Sequence, residues 1–251
     1  ALGGFLAAFS YNLLFFFNAA AALIAAIAYI LFFYRRQRLR RLTHARKQRQ
    51  PVYEAHLPKA KGSPYTDLKF WVFCIFSAIF SICFFQLMST IPLFYKNEIG
   101  LQQGSIGLLM ALNGIVVVIF EMLLVHIAER KFSLAFTMLL GSILCAFSYF
   151  LMAIYPVLSM LAFSMAFLSL GEILILPFMS TITAMRSQPH NRGAYMGMNG
   201  ISVALAFIIS PILGTKIAAD FSFSALWWGT SILLIIASLG FYFIVPKLKR
   251  N

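Results

Sequence analysis

Residues 171–214 read GEILILPFMSTITAMRSQPHNRGAYMGMNGISVALAFIISPILG. A first apolar run carries one carboxylate, Glu172, and a proline, Pro177. A short basic turn follows from Arg186 to Arg192, and a second apolar run opens on Arg192-Gly193 and closes on Pro211 and Gly214. Neither run has a polar face wide enough to give to water, so the pair cannot stand as a soluble helical hairpin. The stretch predicts two membrane spans that meet on one side of a bilayer.

Composition agrees over the whole chain. Of the 251 residues, 61% are hydrophobic and only 11% are charged, and the mean hydropathy is +0.87. A soluble domain of this size needs far more charge to cover its surface. The net charge of +13 could suggest nucleic acid, but its placement argues for orientation instead. Eighteen of the 20 Lys and Arg fall between Arg35 and Lys69, at Arg130-Lys131, at Arg186 and Arg192, or in Lys247 to Arg250. Alternating spans put all of these on one side, with Lys96 and Lys216 on the other. By the positive-inside rule that side is cytoplasmic, and the charge suits anionic headgroups rather than a polynucleotide groove. Cys74, Cys83 and Cys145 fall inside apolar runs with no metal spacing and read as small packing residues.

The chain in order shows an apolar start, a span over Tyr11 to Tyr34, and the basic run RRQRLRRLTHARKQR from Arg35 to Arg49. That run suits a surface-lying amphipathic helix or a disordered linker, and its neighbourhood's His44 and His56 form no ligand cluster. Pro51, Pro58 and Gly62-Ser63-Pro64 mark a loop. Six further spans are expected at 70–95, 103–127, 132–154, 157–184, 195–217 and 222–246, each long enough for a hydrocarbon core of about 30 Å. Seven spans place residue 1 outside and Asn251 inside.

An internal repeat bears on the odd number. Shifted by 211 residues, Leu2 meets Leu213, Gly3 meets Gly214, Ala7-Ala8 meets Ala218-Ala219, and Phe16-Phe17 meets Trp227-Trp228. Two halves related by an axis along the membrane normal are common in transporters. On this alignment the chain is expected to open inside a helix, as the end of one half followed by a linker and a complete six-helix half.

With these features the sequence resembles the major facilitator superfamily, from the end of its fifth helix through its twelfth. The resemblance is carried by the long basic central loop, by Gly171-Glu172 and Pro177 followed by Arg192-Gly193 and Met196-Gly197, and by the small-residue exit Pro211 to Gly214. A weaker copy of the acidic-basic loop motif stands at Ala128-Glu129-Arg130-Lys131, where Val125 and Phe132 occupy positions that usually hold glycine. The resemblance implies an all-α polytopic protein with three parts: 1–34, the end of an N-terminal bundle; 35–69, a basic cytoplasmic linker; and 70–251, a six-helix C-terminal bundle. It further implies a secondary transporter of a small organic solute, most like the proton-coupled drug and small-molecule antiporters, with sugar and peptide carriers as the alternative. The partners implied are solute, proton, lipid bilayer and an N-terminal half, with no cofactor. The membrane implied is a bacterial inner membrane.

Several residues could carry the chemistry. Glu172 lies about 15 residues from the outer end of its helix, roughly 22 Å at 1.5 Å per residue, near or past the midplane. A lone carboxylate at that depth is costly and marks a proton site or a structural bond to a neighbouring helix. Glu121 shares a face with Gly107, Ala111 and Gly114. Small residues admit a neighbour, so this face is expected to be buried in the bundle, with Glu121 as a proton relay or as a partner of Arg130 or Lys131. Gln86, Ser89 and Thr90, and Asn199, Ser202 and Ser210, form two polar stripes that either line a cavity or bond helix to helix. Arg192-Gly193 reads as a gate, with the arginine bonding carbonyls at a helix end. Phe84, Phe85, Trp227 and Trp228 are expected at lipid or interface. No Walker motif or nucleophile–base set is present, so ATP hydrolysis and enzyme activity are not expected. A seven-helix receptor or a scaffold are the readings from other classes.

Overall fold

A computed structural model describes residues 11–31 and 63–248. The chain divides into two units, residues 1–59 and 60–251. In the first, the described element is α1 (Tyr11–Tyr29). The basic run from Arg35 to Arg49, His44, His56 and the Leu2, Gly3 and Ala7-Ala8 ends of the repeat lie outside the described residues.

The regular elements described in the second unit are all helices. Its elements are α2 (Leu68–Phe84), α3 (Thr90–Asn97), α4 (Gln103–Lys131), α5 (Leu134–Ile154), α6 (Leu158–Arg186), α7 (Arg192–Asp220) and α8 (Phe223–Leu248). A 3-10 turn, Phe85–Leu87, joins α2 to α3, and together they form one broken span, Leu68–Asn97. With it, six helices among the described residues are long and apolar enough to cross a membrane. All six follow the expected spans to within a few residues at each end, and side-chain caps fix two of the starts. Asp67 caps α2 by accepting the Phe70 N–H, and Ser133 caps α5 by accepting the Phe136 N–H, each satisfying a free amide of a first turn.

With no water between helices in lipid, close packing and interhelical hydrogen bonds must hold the bundle. At the α5–α6 crossing, Gly141 and Gly171 face one another. A Cβ at Gly171 would meet the Cys145 Sγ, and the Gly141 carbonyl oxygen at 2.6 Å, so only glycine lets the two backbones approach this closely. Hydroxyls bond across this and other crossings. Ser148 pairs with Ser164 at 2.9 Å, Ser231 donates to the Ala146 carbonyl at 2.9 Å, and Tyr149 donates to the Cys83 carbonyl at 2.7 Å. The three cysteines are buried.

Two expectations about exposure are corrected here. Trp227 and Phe84 do not face lipid. Trp227 is fully buried, with its ring 5.5 Å from Tyr149 and 5.3 Å from Phe94, while Phe84 is buried beside Phe80. The break at Phe85–Leu87 turns the chain so that α3 packs its aromatics on α8. Trp228 is partly exposed. The second correction concerns α4. Only 6% of its apolar stretch is buried, and 17% of that of α7, against 50–56% in the other four spans. A Cβ at Gly107 or Gly114 would meet nothing within 4 Å, so the small-residue face of α4 is open rather than buried. Helix α4 packs chiefly on α6, through another face that includes Leu109.

Candidate functional site

The carboxylate of Glu172 is placed by three helices. Gly171 draws α6 against α5, and the next residue, half-buried Glu172, reaches α4. There the Asn113 amide donates to the Glu172 Oε2 at 3.0 Å and to the Ser169 Oγ at 2.9 Å. Ser169 passes its own hydrogen to the Met165 carbonyl at 2.8 Å, which orients its oxygen to accept from Asn113. Ser169 and Glu172 are three apart on α6, so they share a face. Glu121 stands about two turns beyond Asn113 on the same helix, α4. It is exposed on the open face. The structure thus brings Glu172 and Glu121 to one side of the bundle. Asn113 and Ser169 were missed by reading the sequence for charges and small residues. The available signal was an amide ten residues into an apolar helix, where a polar side chain needs a partner.

Of the six residues proposed to line a cavity, Asn199 does so. It lies in a groove of about 640 Å³ with Phe85, Ser180, Met196, Val203 and Phe207. Asn199 is 8% exposed, and its Oδ1 has no hydrogen-bond partner among the described residues, leaving an acceptor in a largely apolar wall that also carries Ser180. The other five do not line this groove. Gln86 donates to the Thr230 Oγ1 at 3.1 Å, and Ser210 to the Ile82 carbonyl at 2.7 Å. Ser89 bonds the Phe85 carbonyl and Thr90, and Ser202 bonds the Met198 carbonyl one turn back. Thr90 is fully buried where α3 crosses Gly214.

The arginine that bonds a helix end is Arg186, not Arg192. Arg186 Nε donates to the Asp67 Oδ2 at 2.7 Å, and its Nη1 reaches the Leu248 carbonyl at 3.5 Å. Tyr195 also donates to the Asp67 Oδ2, at 3.1 Å. These contacts gather the ends of α2, α6, α7 and α8. Arg192 and Gly193 are exposed one turn away, because the first turn of α7 directs Tyr195, three residues on, toward the cluster instead. Burial opposes ionisation of Asp67, but its bond to Arg186 and the Phe70 amide hold its carboxyl below the ordinary value. Glu129 and Arg130 are exposed at the end of α4. Pro177 and Pro211 sit inside unbroken helices. The residues four further on, Thr181 and Thr215, donate to their carbonyls at 2.9 and 2.7 Å.

Comparison with known proteins decides the family. The model of the Major Facilitator Superfamily matches residues 1–106 and 87–251. The chain belongs to this superfamily. Two curated relatives from Bacillus subtilis (strain 168) are similar. One, the uncharacterized MFS-type transporter YttB, is 25% identical over 57% of this chain and 36% of its own length. The other, the uncharacterized MFS-type transporter YqjV, is 26% identical over 58% of this chain and 36% of its own. The chain thus spans about a third of the length of these curated relatives. Among solved structures, the peptide transporter POT in complex with sulfate shares the fold. Its TM-score is 0.58 at 19% identity, over 68% of this chain and 36% of that one. Membership makes the six long helices an integral membrane protein's.

Proposed function

We propose that the protein is a secondary active transporter. Its six-helix bundle would rock against an N-terminal bundle, carrying a small organic solute by alternating access, with its C-terminus on the cytoplasmic side of a bacterial inner membrane. Membership of the superfamily and the relatives named as MFS-type transporters support transport. The open faces of α4 and α7 leave a surface for the partner bundle. The observation that carries proton coupling is the setting of Glu172, a carboxylate within the membrane with an amide donor and no cation among its described hydrogen-bond partners. A lone carboxylate there is costly as an anion, so accepting a proton relieves it.

The groove beside Asn199 favours an apolar solute. Phenylalanine, methionine and valine dominate its wall, which suits an apolar organic molecule with a hydrogen-bond donor better than a sugar. Uptake of a peptide is the alternative, favoured by the likeness in fold to a peptide transporter.

The test is flux by the full-length protein in proteoliposomes, using a panel of apolar dyes and short peptides. With Glu172→Gln, solute exchange down its own gradient should persist while accumulation driven by a pH gradient is lost. Undiminished proton-driven accumulation in that variant overturns the role of Glu172. Transport of peptides but not dyes overturns the choice of solute.

A further inference from the structure

A second groove, of about 380 Å³, runs between α2 and α8, away from Asn199 and Glu172. Its floor is apolar, formed by Val72, Phe76, Ile236, Gly240 and Ile244, and one cation, Lys247, lies at its end. Gly240 draws α2 and α8 together along the groove floor, since the Phe76 ring packs where a side chain there would stand. From Ile236 to Lys247 the groove follows α8 for about 16 Å, close to one leaflet of a hydrocarbon core about 30 Å thick.

The end holding Lys247 is marked as a headgroup level by three further observations. Arg186 bonds both Asp67, at the start of α2, and the Leu248 carbonyl, at the end of α8, so these ends lie at the same membrane face. Lys69 is exposed in the first turn of α2 and stands on the helical face of Val72 and Phe76, three and seven residues on. Two lysines therefore bracket one mouth. Trp71, 44% exposed, donates its indole N–H to the Tyr65 carbonyl at 3.1 Å, an amphipathic ring of the kind that settles at the headgroup boundary. Asp67, the acid between these ends, is already bonded to Arg186 and Tyr195.

We infer that the α2–α8 groove is a binding site for one anionic phospholipid, with an acyl chain along Phe76 and Gly240 and the phosphate between Lys69 and Lys247. Charge complementarity selects the occupant. The groove has the length of one leaflet, and Leu239 and Phe243 on its wall are exposed. It ends in two cations that form no ion pair among the described residues. A free anion would use the lysines but leave the apolar floor uncovered.

The test uses the full-length protein in detergent, titrated with phosphatidylglycerol or with phosphatidylcholine of identical acyl chains and followed by native mass spectrometry. One phosphatidylglycerol should be retained in preference to phosphatidylcholine. Each of Lys247→Gln and Lys69→Gln should weaken retention about fivefold, and Lys247→Arg should restore it. Leu239→Trp, at an exposed residue lining the groove, should weaken both lipids without changing the thermal midpoint. Equal retention of the two lipids, unchanged selectivity in both lysine variants, or glycerol phosphate competing as well as intact lipid would each overturn the site.

Discussion

Asn113 and Glu172, 59 residues apart, meet at 3.0 Å as amide donor and carboxylate acceptor, and this bond ties α4 to α6. Helix α4 is the least buried of the six spans, so loss of this bond should be felt in its attachment to α6. A double-mutant cycle with Asn113→Ala and Glu172→Ala should show a coupling of about 0.5–2 kcal/mol, the range for hydrogen bonds between membrane helices. Unfolding in mixed micelles measures it. A coupling indistinguishable from zero would mean the pair does not hold the helices together.

The two carboxylates should separate in flux experiments. Glu172 is half-buried and bonded, whereas Glu121 is exposed on the open face of α4. Glu172→Gln should abolish proton-driven accumulation, while Glu121→Gln should reduce it less than about tenfold, because Glu121 takes no part in the Asn113–Ser169–Glu172 hydrogen bonds. Transport rate against pH for both variants is the check. The reverse ranking would make Glu121 the carrier.

The Asp67–Arg186 pair predicts acid sensitivity of one end of the bundle. Asp67 has its carboxyl held below its ordinary value of 3.8. A depressed carboxylate contributes stability that is fully present above its unfolded value and lost as pH falls through the folded one. Stability should therefore be flat above about pH 5 and decline below pH 4. Asp67→Asn should lower stability by roughly 1–3 kcal/mol at pH 7 and flatten the decline. Chemical denaturation at pH 7 and pH 3.5 decides it, and an unchanged pH slope in the variant would assign the decline to other groups.

Two glycines should differ in how their substitutions can be repaired. At Gly171 a methyl group meets the backbone carbonyl of Gly141 as well as the Cys145 side chain, whereas at Gly214 the three nearest atoms all belong to the Thr90 side chain. Both Gly→Ala variants should lose about 1–3 kcal/mol. Thr90→Ala should recover part of the loss at Gly214, but Cys145→Ala should not at Gly171, since a backbone carbonyl cannot be trimmed away. By contrast Gly200→Ala, with nothing within 4 Å, should be neutral or stabilising by up to about 1 kcal/mol. Thermal unfolding of the five variants tests the ranking.

Much of this protein was legible before folding was considered. Apolar runs of 20 or more residues can satisfy their backbone in lipid only as helices, so the six spans of the second unit and their approximate ends followed from 61% hydrophobic composition and from where the charges fall. Glu172 stood out for the same reason, as a carboxylate where lipid tolerates few. What composition and helical spacing leave open is which face of each helix meets another, because in a membrane both faces are apolar and the pattern that marks a soluble core disappears. Only the tertiary packing placed Asn113 on Glu172 and left Gly107 and Gly114 uncovered. It also buried Trp227, and it chose Arg186 over Arg192 as the residue that gathers the helix ends. Each of those outcomes turns on contacts between residues distant in the chain, and the local sequence carries no record of them.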